Sequence, residues 1–125
     1  MAQSMPDNQS MSASKNRNPD VPRNLKPYFL CLLKKGPQWN ITEGNEGLMT
    51  NYLAYLRRET EARRIIFAGP ITDDGEMIAT AIIEAANGDG AMAVANSNPG
   101  VASGHFVAEL HPCFLPALDA LQVYY

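Results

Sequence analysis

Residues 64–83 read RIIFAGPITDDGEMIATAII, and this stretch decides the fold. It holds two runs rich in β-branched and apolar residues, 64–68 and 77–86, which predict two strands. Gly69-Pro70 ends the first run, and Asp74-Gly75 between the runs is a typical hairpin turn. The stretch therefore predicts an antiparallel β-hairpin.

The segment before the hairpin changes period. Residues 46–62 carry apolar side chains at helical spacing, which predicts an amphipathic helix with Met49, Tyr52, Leu53, Leu56 and Thr60 on its packed face. The opposite, solvent side is expected to hold Arg57, Arg58, Glu59 and Glu61. Farther upstream, residues 28–33 read YFLCLL, a continuous apolar run that predicts a strand covered on both faces.

The segment after the hairpin adds one more helix and one more strand. Asn87 can cap a short helix over residues 91–97, which Asn98-Pro99-Gly100 is expected to end. Residues 106–110 predict a fourth strand that ends at His111-Pro112. The order β-α-β-β-α-β is that of an α+β, ferredoxin-like fold. The tail at 114–125 is apolar enough that it is expected to pack against another surface.

Composition places this fold in one domain of a 125-residue chain. Residues 1–25 are rich in Ser, Asn, Asp and Pro, which predicts a disordered N-terminal extension before a domain at 26–125. A formal net charge of −3 without a basic stripe argues against nucleic acid as a partner. No apolar run is long enough to span a membrane and no secretory signal is present, so a cytoplasmic location is expected.

The predicted sheet has helices on one face only, and its other face is also apolar. Tyr28, Leu30 and Leu32 alternate with Phe29, Cys31 and Leu33, so each face receives large apolar side chains, and Cys31 is expected to be buried. An apolar sheet face left in water is a large sticky patch. The sequence therefore predicts a homodimer in which two such faces pack together.

Five segments in register resemble a known family. They are KKGPQW (34–39), YLAYLRR (52–58), RIIFAGPITDDG (64–75), NPGVASG (98–104) and FVAELHP (106–112). In this order and spacing, the chain resembles the YciI-like, or YCII-related, proteins. The resemblance implies a dimeric α+β barrel, a pocket between helix and sheet, and an active pair formed by a His on the first helix and an Asp before Pro.

The positions that match this pair hold Tyr52 and Asn98. A Tyr pKa lies near 10, so a phenol needs roughly 4 kcal/mol of stabilisation to act as a base at neutral pH. We hypothesise that the ionisable pair became a neutral hydrogen-bonding pair. The alternative makes Tyr52 a core-edge aromatic and Asn98 a helix-ending residue. The family's Trp and helix-ending Gly are also replaced, by Cys113 and Arg63, and a side chain at the left-handed cap costs around 1 kcal/mol.

Further candidates complete the expected site. His111 is a third catalytic candidate, with His105 on the same strand face, and a His111–Cys113 nucleophile pair is the weaker alternative because Pro112 separates them. The residues expected to bind substrate are Lys35, Trp39, Tyr55, Gly69 and Pro70. Neither metal ligands nor a cofactor-binding motif is found, so no cofactor is expected.

These features leave two functions open. The first is a cofactor-independent small-molecule enzyme, of the isomerase, lyase or dehydrochlorinase type that the resemblance implies. The second is a non-catalytic ligand-binding or accessory dimer that kept the pocket. A ligand affinity that titrates between about pH 6 and 8 would favour catalysis through His111 or His105, and a flat profile would favour binding.

Overall fold

A computed structural model describes Pro22 and residues 24–125. The elements follow the order β-α-β-β-α-α-β. They are β1 (Leu25–Lys35), α1 (Leu48–Glu61), β2 (Ile65–Pro70), β3 (Met77–Ile83), α2 (Gly88–Asn96), α3 (Pro99–Ala102) and β4 (Phe106–Pro116). Most of the predicted N-terminal extension lies outside the described residues, and β1 begins at Leu25.

The four strands form one sheet in the order β2-β3-β1-β4. All three strand pairs are antiparallel. This is the arrangement of the ferredoxin-like α+β fold, so the predicted fold class is confirmed. Asp73 Oδ1 accepts a hydrogen bond from the Gly75 amide in the β2–β3 turn, as expected of an Asp-Gly hairpin signal.

The alternation of β1 divides the core in two. Phe29, Cys31 and Leu33 belong to the cluster between sheet and helices, whereas Tyr28 belongs to a smaller cluster on the helix-free face. Burial raises the pKa of the Cys31 thiol to about 11, which makes it an inert apolar side chain at neutral pH.

The packed face of α1 is rotated from the predicted one. Met49 was expected to be buried and is 63% exposed, while Glu59 was expected in solvent and is only 4% exposed. Glu59 tolerates burial because Arg64 and Arg58 both donate hydrogen bonds to its carboxylate. The helical pattern is correct, but a paired charge replaces an apolar side chain in the last turn.

Two further boundaries differ from the expectation. Pro112 does not end β4, which continues to Pro116. Because β4 is an edge strand, one side of its backbone has no strand partner, and a proline is tolerated in such a strand. Asn98 does end α2, but it also caps α3 by accepting a hydrogen bond from the Gly100 amide.

The surface on which the apolar tail packs is the domain itself. The Leu118 amide donates to the Tyr28 hydroxyl at 2.7 Å, and Leu118 and Leu115 pack against the helix-free cluster. Within residues 24–125, none of the helices is both long enough and apolar enough to cross a bilayer.

Candidate functional site

A cavity of about 630 Å³ lies between α1, the loop at 36–47 and the helix side of the sheet. Its walls come from the first half of α1, the end of β2 and the beginning of β4. A volume of this size is typical of a small-molecule site. The lining is mostly apolar, with aromatic side chains and few polar groups.

The loop over the cavity is held to the beginning of β4 by main-chain bonds. The Gly36 amide donates to the His105 carbonyl at 2.8 Å, and the Gln38 amide donates to the Gly104 carbonyl at 2.9 Å. A Cβ atom on Gly36 would collide with the Gly104 carbonyl oxygen. The glycine of the KKGPQW segment is therefore required where the loop crosses β4.

An aromatic wall lines one side of the cavity. The Phe106 ring contacts Trp39 at a centroid distance of 6.1 Å and Tyr52 edge-on at 5.7 Å. A Cβ atom on Gly100 would overlap the Phe106 ring, so the glycine of the NPG segment allows α3 to pack on this wall. Both motif glycines thus shape the cavity from outside it.

The Tyr52 hydroxyl has no hydrogen-bond partner within the described part of the chain. The other four tyrosines differ, because each of their hydroxyls has a partner. Tyr28, Tyr55 and Tyr125 bond to the main chain at Leu118, Val94 and Ala68, and the exposed Tyr124 donates to the Gln122 side chain. Tyr52 lines the cavity. Its phenol is thus available to a ligand.

Burial raises the pKa of the Tyr52 phenol above its ordinary value of 10, and the nearby Tyr125 phenol raises it further. The group therefore stays protonated through the neutral range. It can donate a hydrogen bond, but it does not supply a base.

His105 also lines the cavity, but both ring nitrogens already have partners. Nε2 bonds to the Ile41 carbonyl, and because a carbonyl only accepts, this nitrogen carries the proton. Nδ1 lies 2.7 Å from Ser103 Oγ. His105 thus fastens the loop at Ile41 and has no nitrogen free for a ligand.

Asn98 is not among the residues that line the cavity. It is 3% exposed, and its side-chain oxygen is bonded to the Gly100 amide at 2.8 Å. Tyr52 therefore lies in the cavity, whereas Asn98 caps α3 outside it, and the two side chains do not share one site.

His111 lies on the other face of the sheet. Its register partner on β1 is Leu30, and its Nε2 bonds to Glu109, which also pairs with Lys34 at 3.0 Å. Cys113 packs in the helix-free cluster, where burial raises the pKa of its thiol. These residues lie apart from the cavity.

The expected substrate-binding residues divide in the same way. Trp39, Gly69 and Pro70 line the cavity. Lys35 instead sits behind Trp39, with its Nζ atom 5.7 Å from the ring centroid, and the buried Tyr55 donates to the Val94 carbonyl at 2.7 Å. Sequence reasoning missed Phe106, Ile41 and Tyr125, although the apolar tail signalled packing of Tyr125.

Among residues 24–125, His, Cys, Asp and Glu side chains form no group of three or more that could hold a metal ion. The charged groups near the cavity are Glu46 at its rim and Lys35 behind Trp39.

The profile of the YCII-related domain family matches residues 28–110. This match confirms the resemblance found in the five motifs. A solved structure that resembles the chain is that of 5-chloro-2-hydroxyhydroquinone dehydrochlorinase (TftG) from Burkholderia phenoliruptrix AC1100, in complex with 2,5-dihydroxybenzoquinone. It is 27% identical over 66% of this chain and 90% of that chain, with a TM-score of 0.46. No curated protein sequence matches significantly.

Proposed function

The chain belongs to the YCII-related domain family, and we propose that its cavity binds a compact, mostly apolar, uncharged small molecule through the Tyr52 hydroxyl. The observation that carries this proposal is the unpaired Tyr52 hydroxyl in a mostly apolar, aromatic-walled cavity. Such a cavity excludes charged ligands, because removing a charge from water without a partner costs several kcal/mol.

The hydroxyl selects for an acceptor oxygen on the ligand. Since the raised pKa keeps the Tyr52 phenol protonated, it can donate to a carbonyl or hydroxyl oxygen. One such hydrogen bond contributes about 1 kcal/mol, which corresponds to roughly five- to tenfold in affinity. Trp39 and Phe106 supply the apolar contact surface.

Binding without catalysis is the better supported of the two functions. Acid–base catalysis at neutral pH needs a group that can exchange a proton with the ligand. In the cavity, His105 has both nitrogens engaged and Tyr52 is held in its protonated form. We therefore propose a ligand-binding or accessory role, in which affinity is independent of pH between about 6 and 8.

One observation favours the second candidate, a cofactor-independent isomerase, lyase or dehydrochlorinase. Glu46 is among the residues that line the cavity, so a carboxylate residue and a phenol donor belong to the same lining. In that reading, Glu46 removes a proton beside a ligand carbonyl and Tyr52 stabilises the oxygen. Exchange of the α-protons of cyclohexanone with deuterated water, lost in Glu46→Gln, would favour this candidate. No exchange above that of free cyclohexanone would exclude it for ketones.

The binding proposal can be tested with the single tryptophan of the chain, Trp39. Titration with a ketone such as an alkyl-substituted cyclohexanone should change Trp39 emission and give a dissociation constant, with calorimetry as an independent check. The matched hydrocarbon, which lacks the carbonyl, should bind roughly five- to tenfold more weakly. Equal affinities for ketone and hydrocarbon would contradict a role for Tyr52.

We also propose that the helix-free face forms a homodimer, which produces the barrel expected of the family. Val107 and Met77 are exposed on this face and Leu32 is half-buried, while the tail covers only its other end. Val107→Asp places a charge in that face and should convert a dimer to a monomer by light scattering. A wild-type monomer at micromolar concentration would exclude the dimer.

A further inference from the structure

Residues 117–125, here called the strap, reach the wall of the cavity. Tyr125 is half-buried and lines the cavity together with Ala68, Gly69 and Pro70 at the end of β2. Its hydroxyl accepts from the Ala68 amide at 2.6 Å and donates to the Ala68 carbonyl. Since β2 is an edge strand, Tyr125 occupies hydrogen-bonding positions that a neighbouring strand would otherwise fill.

The strap is attached by side chains from the domain. It contains neither helix nor strand. Arg63 donates to the carbonyls of Leu121, Leu118 and Asp119, and Arg57 donates to the Tyr125 oxygen at 2.5 Å. Leu118 is also fixed by its packing and its bond to Tyr28, whereas residues 120–125 are held by exposed bonds from Arg57 and Arg63 and by Tyr125 itself. Segments held by exposed hydrogen bonds open locally at a lower free energy than the core. Residues 120–125 can therefore move while the sheet and helices stay folded.

Of the two arginines that hold the strap, Arg63 has an unfavourable backbone conformation. Its φ of 62° lies in the left-handed region, where a side chain is unfavourable and glycine is not. The three hydrogen bonds to strap carbonyls offset the cost of a side chain in this backbone conformation. The same residue ends α1 and holds the strap.

We infer that Tyr125 is a specificity-determining residue, and that the strap sets how long a ligand the cavity admits. This inference rests on the proposed binding function. Tyr52 provides the hydrogen bond, whereas the Tyr125 ring closes the cavity at the β2 end. A ligand that extends past Ala68 must displace the ring, and the cost of displacing it depends on Arg57 and Arg63.

The matched variants are Tyr125→Ala and Tyr124→Ala. Tyr124 is 83% exposed, so its removal changes the strap without changing the cavity. Across alkyl-substituted cyclohexanones of increasing chain length, Tyr125→Ala should shift the preference toward longer chains by about tenfold, the worth of one or two buried methylenes. Tyr124→Ala should keep the wild-type preference. An unchanged preference in Tyr125→Ala would overturn the inference.

A second measurement does not need a ligand. Arg63→Gly removes the hydrogen bonds to the strap carbonyls. Glycine adopts the left-handed conformation without strain, so the domain should stay folded. Amide exchange at Ala68 should accelerate about tenfold in Arg63→Gly and in Tyr125→Ala, but not in Tyr124→Ala. An unchanged Ala68 exchange rate in both Arg63→Gly and Tyr125→Ala would overturn the inference. If no ketone binds the wild type while Ala68 exchange responds as expected, the proposed function fails and the strap's attachment stands.

Discussion

Each half of α1 carries one tyrosine, and the two tyrosines have different roles. Tyr52 and Tyr55 are one turn apart, with ring centroids 6.3 Å apart. The Tyr55 hydroxyl is buried and bonded to Val94, whereas no described residue bonds the Tyr52 hydroxyl. Beyond Tyr55, Glu59 is also fully paired. The buried polar groups of the second half, at Tyr55 and Glu59, are matched inside the protein, and the Tyr52 hydroxyl of the first half is left for a ligand.

This difference separates the residues that hold the fold from those that shape the cavity. A buried polar group without a partner destabilises a domain, so most such groups are bonded. A hydroxyl that faces an open cavity stays hydrated, so it does not destabilise the fold in this way. Substitutions in the second half of α1 should therefore affect stability, and those in the first half should affect ligand affinity.

The largest effect is expected at Glu59. Glu59→Ala leaves Arg58 and Arg64 without their shared carboxylate and opens a gap under the last turn of α1. Because the two arginines left behind are about half exposed and stay hydrated, we expect a loss of about 2 kcal/mol in the free energy of unfolding, as for hydrogen bonds to a charged group. Urea unfolding measures it. Glu61→Ala, at an exposed position of the same turn, should change it by less than about 0.5 kcal/mol.

A smaller effect is expected at Tyr55. Tyr55→Phe removes the hydrogen bond to the Val94 carbonyl, which also accepts from Ser97 Oγ at 2.8 Å. Since that carbonyl keeps a partner, the expected loss is about 1 kcal/mol. Tyr52→Phe is the matched control and should change unfolding by less than about 0.5 kcal/mol. Equal losses in the two variants would remove the distinction between the halves of the helix.

The smallest expected effect is the pH dependence of the Glu59 contribution. Burial alone would raise the pKa of Glu59, but hydrogen bonds from Arg64 and Arg58 outweigh it and hold the pKa below its ordinary value of 4.5. A lowered folded-state pKa stabilises the protein above the unfolded value, and this contribution is lost as pH falls through the folded value. The stability advantage over Glu59→Gln should be constant from pH 7 down to about 5 and decline below it. An advantage that grows in acid would contradict the pairing.

The fold could be predicted because its signals are local. The hairpin follows from Asp74-Gly75 between two apolar runs, and α1 follows from its helical spacing. The burial of Glu59 could not be predicted, because it depends on Arg64, which lies beyond the end of α1. The extension of β4 through Pro112 depends on its edge position, which only the sheet order shows.

The candidate site was predictable in part. Tyr52, Trp39, Gly69 and Pro70 lie in motifs that were singled out in the sequence, and all four line the cavity. Phe106 and Tyr125 also lie in segments that the sequence marked, the FVAELHP motif and the apolar tail, but their place in the cavity depends on contacts distant in the chain. Gly36 and Gly100 were the best available signals for the walls, because Gly36 closely approaches the Gly104 carbonyl and Gly100 closely approaches the Phe106 ring.

In this account the Tyr52 hydroxyl binds the ligand, and the Tyr55 hydroxyl stabilises the fold. This division of roles is tested most directly by measuring the affinity for one cyclohexanone derivative in Tyr52→Phe and Tyr55→Phe, with the matched hydrocarbon as reference. We predict that Tyr52→Phe loses the five- to tenfold preference for the ketone, about 1 kcal/mol, and that Tyr55→Phe keeps it. A full ketone preference in Tyr52→Phe would contradict the account.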